Sequence, residues 1–159
     1  GYVHCQSGRR RTVMNERFTP EEKKELQETL ARIYKSTPYF QTLPCRVIDF
    51  DRGEVRIDFP VEERFCTADG TASAGLITAF CDTLMGFSSR TCGYRITTLE
   101  ISMNYVRHAR VGELLHGVGT VVNIGEDTLL TEAVIHDDEG RLVVKSRASF
   151  YILEKPEKQ

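Results

Sequence analysis

The run from Ala74 to Phe87 constrains this fold more than any other segment. It holds no proline, is rich in Ala, Leu and Phe, and carries a single charge, Asp82. Its length excludes a buried strand, and its pattern predicts a helix over about 72–89. Asp69, Thr71 and Ser73 are the candidate caps for its start. A helix apolar on most faces must be enclosed by other elements rather than lie on a surface.

The flanking sequence supplies the enclosure. Thr19-Pro20-Glu21-Glu22 opens a helix running to about Lys35, with Leu26, Leu30 and Ile33 as its apolar stripe. Thr37 to Pro44 reads as a loop packing Tyr39 and Phe40. The period then changes to two. Strands are predicted at 45–50 and 54–60, joined by Asp51-Arg52-Gly53, and Val61 to Gly70 reads as a connecting loop. Four more strands follow the apolar helix, at 97–106, 114–122, 128–136 and 142–152. Gly125-Glu126-Asp127 and Asp137-Asp138-Glu139-Gly140 turn the chain between the last three, and Glu154 to Gln159 reads as a frayed tail. The expected class is α+β: an antiparallel β-sheet wrapped around a long central helix, with an N-terminal helix. Such a sheet leaves edges that a second copy of the chain would cover.

A chain of 159 residues with formal net charge -2 fits one domain and gives no electrostatic reason to expect nucleic acid. No apolar run reaches the length of a bilayer span, so no membrane partner is expected. Residues 14–159 are read as that single domain. Residues 1–13, unpatterned and carrying Arg9-Arg10-Arg11 ahead of Met14, are read as a disordered extension or upstream segment, with a nucleic-acid arm as the sharper alternative. The five cysteines match no zinc spacing, so no metal is expected; reduced thiols and a cytoplasmic location fit them best.

Two readings stand for Asp82. A carboxylate in so apolar a segment is either a base or nucleophile with a tuned pKa, or a core group bonded to an arginine or a backbone amide. Cys66 is either a reactive thiol near the helix start or an inert one. Arg107, His108 and Arg110 form either a phosphate-binding cluster, which Lys145 and Arg147 could join, or a solvated turn. None of the four histidines lies in or just after the apolar helix, which removes the Asp–His pair that a hydratase would need.

Three motifs carry a resemblance. They are Gly75-Leu76-Ile77-Thr78-Ala79-Phe80-Cys81-Asp82-Thr83-Leu84-Met85-Gly86, the run Thr98 to Glu113 with its Arg107-His108-Ala109-Arg110-Val111-Gly112 turn, and Asp137-Asp138-Glu139-Gly140-Arg141-Leu142-Val143. Together they resemble PaaI-like hotdog-fold acyl-CoA thioesterases, related to 4-hydroxybenzoyl-CoA thioesterase, over roughly residues 36–153. The resemblance implies hydrolysis of an acyl- or aryl-acyl-CoA to free acid and CoA. Asp82 would be the base or nucleophile, the Ala74 amide the oxyanion donor, and Thr98 a hydroxyl orienting water. No separate cofactor is implied, since coenzyme A is part of the substrate. Arg107, His108 and Arg110 would face the CoA phosphates. Phe80, Leu84, Met85 and Phe87 would be either acyl pocket or plain core, with core the better guess. The chain departs from the family at Ser73-Ala74-Gly75, where His-Gly-Gly is usual, at Thr67 in place of Asn or Gln, and at His108 in place of Pro. Those departures leave a non-catalytic acyl-CoA-binding module as the alternative.

Helix geometry adds a constraint. Ala74 and Asp82 lie eight positions apart, so a helix separates them by roughly 12 Å. One thioester carbonyl cannot reach both in one subunit. The expected site pairs Ala74 of one protomer with Asp82 and Thr98 of another, in a homodimer that could assemble further into a homotetramer.

Overall fold

The computed structural model describes residues 17–157, so the expectations for residues 1–13 lie outside the described residues. Helix α1 (Pro20–Ser36) starts with a reciprocal cap. The Thr19 hydroxyl accepts from the Glu22 N–H, and the Glu22 carboxylate accepts from the Thr19 N–H. Leu30 is buried, Leu26 packs on the core's edge, and Lys23 pairs with Asp49 at 2.7 Å. The segment read as a loop contains a short helix, α2 (Pro38–Thr42). Pro38 presets its first turn, and Phe40 stacks on Phe87 at 5.3 Å.

Strands β1 (Arg46–Asp51), β2 (Glu54–Pro60), β3 (Arg95–Tyr105), β4 (Leu114–Ile124), β5 (Thr128–His136) and β6 (Leu142–Glu154) form one antiparallel sheet in the order β1-β2-β4-β5-β6-β3. Helix α3 (Ala74–Thr91) lies in its concave face, mainly against β4, β5 and β2. Alternation explains the wrap: Leu115, Gly117 and Gly119 of β4 turn inward while His116 and Val118 turn out. The helix comes unusually close at β4. A Cβ at Gly119 would run into the Leu84 carbonyl, so glycine is required there by space alone. Phe59 stacks on Phe80 at 4.1 Å, and Leu84 and Met85 are fully enclosed. Phe80, Leu84, Met85 and Phe87 are therefore core. The far end of α3 is tied to the β1–β2 hairpin, where Thr91 Oγ1 accepts from the Gly53 N–H at 2.7 Å.

The central helix differs from expectation in two ways. The helix begins at 74 rather than 72, because Ala72 and Cys66 form an isolated β-bridge that holds the preceding residues extended. The helix is also not enclosed on every side. Ala74 and Gly75 are exposed, and Thr78, Ala79, Asp82 and Gly86 are only half-buried. These residues line one stripe of α3, the face the chain's own sheet leaves uncovered. The edge strand β3 is equally bare, with Leu99 58% and Tyr105 51% exposed.

Candidate active site

The stripe carries two candidate groups of residues. At its start, Ser73 is the cap: its Oγ accepts from the Leu76 N–H at 3.1 Å and its carbonyl from the Ile77 N–H at 3.2 Å. Asp69 and Thr71, the other candidate caps, bond instead to Thr67. The N–H groups of Ala74 and Gly75, the first two of the helix, meet no acceptor among the described residues. The loop before them is clamped to the segment after β3 by the Ala72 N–H to Ala109 carbonyl bond at 2.8 Å and the Val111 N–H to Gly70 carbonyl bond at 3.0 Å. The result is a cleft of about 330 Å³ that gathers Thr67, Ser73, Ala74, Tyr105, Arg107 and His108. Thr67 is not idle in it. Its hydroxyl is engaged by the Asp69 carboxylate and lies 3.0 Å from the Thr71 hydroxyl.

Asp82 stands two turns further along α3. The partner of its carboxylate is the Thr98 hydroxyl, donating at 3.2 Å, and not the arginine or amide a core role would require. A β-bulge aims that hydroxyl. Simple alternation would put Thr98 and Glu100 on one face. The register slips between them, so Thr98 pairs with buried Phe150 on the helix side while Glu100 pairs with Ser149 on the other. Burial raises the Asp82 carboxyl above its ordinary range, and the Thr98 hydrogen bond only partly offsets this. Tyr39 of α2 completes this end. Its phenol is raised by burial and by the charge of Asp82, and its ring packs on Phe40 at 5.6 Å. The sequence places Tyr39 in a packing loop, with no sign that the charge of Asp82 reaches its phenol, and Tyr105 reads only as a strand residue.

The basic cluster divides. Arg107 pairs through one terminal nitrogen with Asp137 at 2.7 Å and with Glu113 at 3.1 Å, which fastens the loop after β3 to the β5–β6 turn, while its buried Nε has no hydrogen-bond partner among the described residues. His108, which lines the cleft, and Arg110 beside it have exposed side chains, while their backbones are tied: the His108 carbonyl accepts from Arg107 at 2.8 Å and the Arg110 N–H donates to Glu113 at 2.9 Å. Arg147 pairs with Glu132 on the outer sheet face and Lys145 lies on that same face, so neither joins the cluster. Burial opposes ionisation of Asp137, but hydrogen bonds from the Arg141 backbone and guanidinium and from the Glu139 N–H outweigh it, holding the carboxyl at about 2. A carboxyl lowered by folding contributes stability above its unfolded pKa of about 3.9, and that stability is lost as pH falls toward the folded value. Asp137→Asn is expected to lower stability at neutral pH and to flatten the acid loss between about pH 4 and pH 2, read by denaturant unfolding across a pH series.

Other chemistry is thin. Burial raises the thiols of Cys45, Cys66, Cys81 and Cys92, Cys81 to about 12, so none of them is an activated nucleophile. Among the described residues no group of three or more His, Cys, Asp or Glu is placed to hold a metal ion, and no helix is long and apolar enough to cross a membrane.

An antiparallel sheet curled around one long helix, with the helix start and a mid-helix carboxylate on its open stripe, is the hotdog architecture. Residues 69–144, which include Ala74, Asp82 and Thr98, match the family model of the thioesterase superfamily, which supports the resemblance to PaaI-like hotdog thioesterases. The same fold occurs in the Escherichia coli PaaI protein from the phenylacetic acid degradation operon. That likeness has a TM-score of 0.78 at 14% identity and covers 84% of this chain and 97% of that one. It also occurs in smu.793 of Streptococcus mutans, a structure bound to acetyl CoA, with a TM-score of 0.70 at 23% identity over 73% of this chain and 94% of that one. An Archaeoglobus fulgidus protein with a provisional esterase name is 22% identical over 119 residues, 75% of this chain and 77% of its own length.

Proposed function

We propose that this protein is an acyl-CoA thioesterase whose active site is completed between two protomers. The observation that carries the reading is the carboxylate of Asp82, half-buried, raised in pKa, and bonded to a hydroxyl rather than neutralised by a cation. A carboxylate tuned upward is suited to accept a proton from attacking water near neutral pH, or to attack the thioester itself. The unpartnered Ala74 N–H sits at the positive end of the α3 dipole, where negative charge developing on a thioester oxygen is stabilised. The separation of roughly 12 Å along the helix keeps these two functions from meeting in one protomer. The bare edge of β3 offers the means to bring a second copy into place. Pairing β3 with its counterpart would cover the β3 edge of each protomer and set one protomer's cleft against the other's Asp82. A tetramer would form from such dimers. The smu.793 structure holds acetyl CoA, which supports a CoA thioester as the ligand class.

Arg110 and His108 would meet the nucleotide end of CoA, while Arg107 holds the loop that presents them. Arg110→Ala is therefore expected to raise KM several-fold, by about 1 kcal/mol of lost phosphate contact, with kcat unchanged. A fall in kcat alone would contradict that role.

One observation favours a second reading. The Thr67 hydroxyl, at the position where the family's amide side chain would hold the thioester, is occupied by Asp69 and Thr71. A non-catalytic module that binds acyl-CoA would show saturable binding without thiol release. Thiol release from a panel of short, medium, long and aromatic acyl-CoAs, run beside Asp82→Asn, separates the two. Turnover lost in the variant supports the enzyme, and binding without turnover in either protein supports the module.

A further inference from the structure

The last residue of β3 reaches back to the first turn of α3. The Tyr105 phenol lies 3.3 Å from the Ala74 carbonyl and 2.5 Å from Thr78 Oγ1, and Thr78 Oγ1 donates to that same carbonyl at 2.8 Å. Each hydroxyl has one proton, so Thr78 donates to the carbonyl while Tyr105 donates chiefly to Thr78 Oγ1 and strengthens that bond, in addition to the helix's own N–H. The N–H of that peptide belongs to Gly75. Peptide resonance couples the two ends, so hydrogen bonds drawn by the oxygen make the N–H more positive. Planarity also means that fixing the oxygen fixes the direction in which the N–H points.

The Gly75 N–H is the second of the helix, exposed and without an acceptor among the described residues. A Cβ at Gly75 would meet only Ser73 Oγ, at 3.9 Å, so nothing crowds the approach to this N–H from within the chain. Tyr105 also lines the same cleft as Ala74. Ser73 and Thr67 are both turned to structural bonds, one to the Leu76 N–H and the other to Asp69. The first turn therefore needs some other group to set its donor strength and aim.

We infer that Tyr105 and Thr78 are positioning residues that polarise and aim the Ala74–Gly75 peptide, making the Gly75 N–H a second oxyanion donor beside that of Ala74. This rests on the thioesterase reading above and deepens it. The pair is assigned its effect through the peptide. Its effect should appear where charge develops, in the transition state, and not in ground-state binding.

The test is steady-state thiol release by Tyr105→Phe, Thr78→Val and Thr78→Ser, with thermal unfolding of each. Tyr105→Phe and Thr78→Val are expected to lower kcat about threefold to tenfold with KM unchanged, a fraction of what losing a whole oxyanion donor costs. Thr78→Ser keeps the hydroxyl and should retain most of the wild-type kcat. The double variant should lose less than the product of the single losses, because the two hydroxyls act in series on one carbonyl. A mere hook between β3 and α3 would instead lower the unfolding temperature with kcat unmoved, and that result overturns the inference. Thiol release that persists in Asp82→Asn would overturn the underlying reading instead, and the two failures are read from different variants.

Discussion

Asp82→Asn is expected to lower thioester hydrolysis by about 10²–10⁴-fold while the protein stays folded. Asparagine keeps the shape and can still meet the Thr98 hydroxyl, but it cannot take a proton from water or form an acyl intermediate. The same raised pKa fixes two signs. Activity should rise with pH as Asp82 ionises, with a midpoint above the ordinary Asp range, and this limb should vanish in the variant. Stability runs the other way. A carboxyl raised by folding penalises the native state once pH exceeds its unfolded value of about 3.9, so removing the charge should hold or increase stability at neutral pH. Stopped turnover with undiminished stability would separate a catalytic carboxylate from a structural one. Unchanged turnover would remove Asp82 from the mechanism.

Ala74→Pro is expected to lower kcat by about 10²–10³-fold, the range for deleting one oxyanion donor. Proline removes the N–H and little else here. Position 74 is the first residue of the helix, where proline is favoured and where no helical bond uses the N–H. The preceding Ser73 has φ -62 and ψ 147, an extended conformation that a following proline accepts. The cap from Ser73 to Leu76 does not involve the deleted group. The unfolding temperature should stay close to wild type, and a large drop in it would mean the variant reports on folding. Full activity with normal stability would mean that Ala74 is not a donor.

The sequence carried most of the fold because its signals were local. Thr19 with Glu22, the apolar run through Asp82 and the turns at Gly53 and Gly140 each fix a short piece, and the alternation in β4 and β5 says which face is buried. What it hid depends on contacts between distant segments. The β-bridge of Cys66 with Ala72 shortens α3 at its start, and nothing local announces it. The short helix α2 lies where the sequence reads as a loop, since a five-residue helix has no period to detect. Asp82 stands out as a lone carboxylate in an apolar helix and Thr98 enters only through the resemblance; the bond between them follows from the bulge at Leu99, which alternation alone would not place. Arg107, His108 and Arg110 looked alike in sequence. They differ because Asp137 and Glu113, far along the chain or across the turn, claim the first of them. Tyr39 and Tyr105 went unrecognised for the same reason: each reaches the site through tertiary packing, Tyr39 beside Phe40 and Tyr105 across to the first turn of α3.

An active site that draws Ala74 from one protomer and Asp82 from another can be reassembled by mixing the two inactive variants. Asp82→Asn and Ala74→Pro would be unfolded together, refolded at equal concentration, and assayed for thiol release. Random pairing makes half of the dimers mixed, and each mixed dimer holds one intact site, so activity should return to about a quarter of wild type. A mixture no more active than either variant alone would contradict a site shared between protomers.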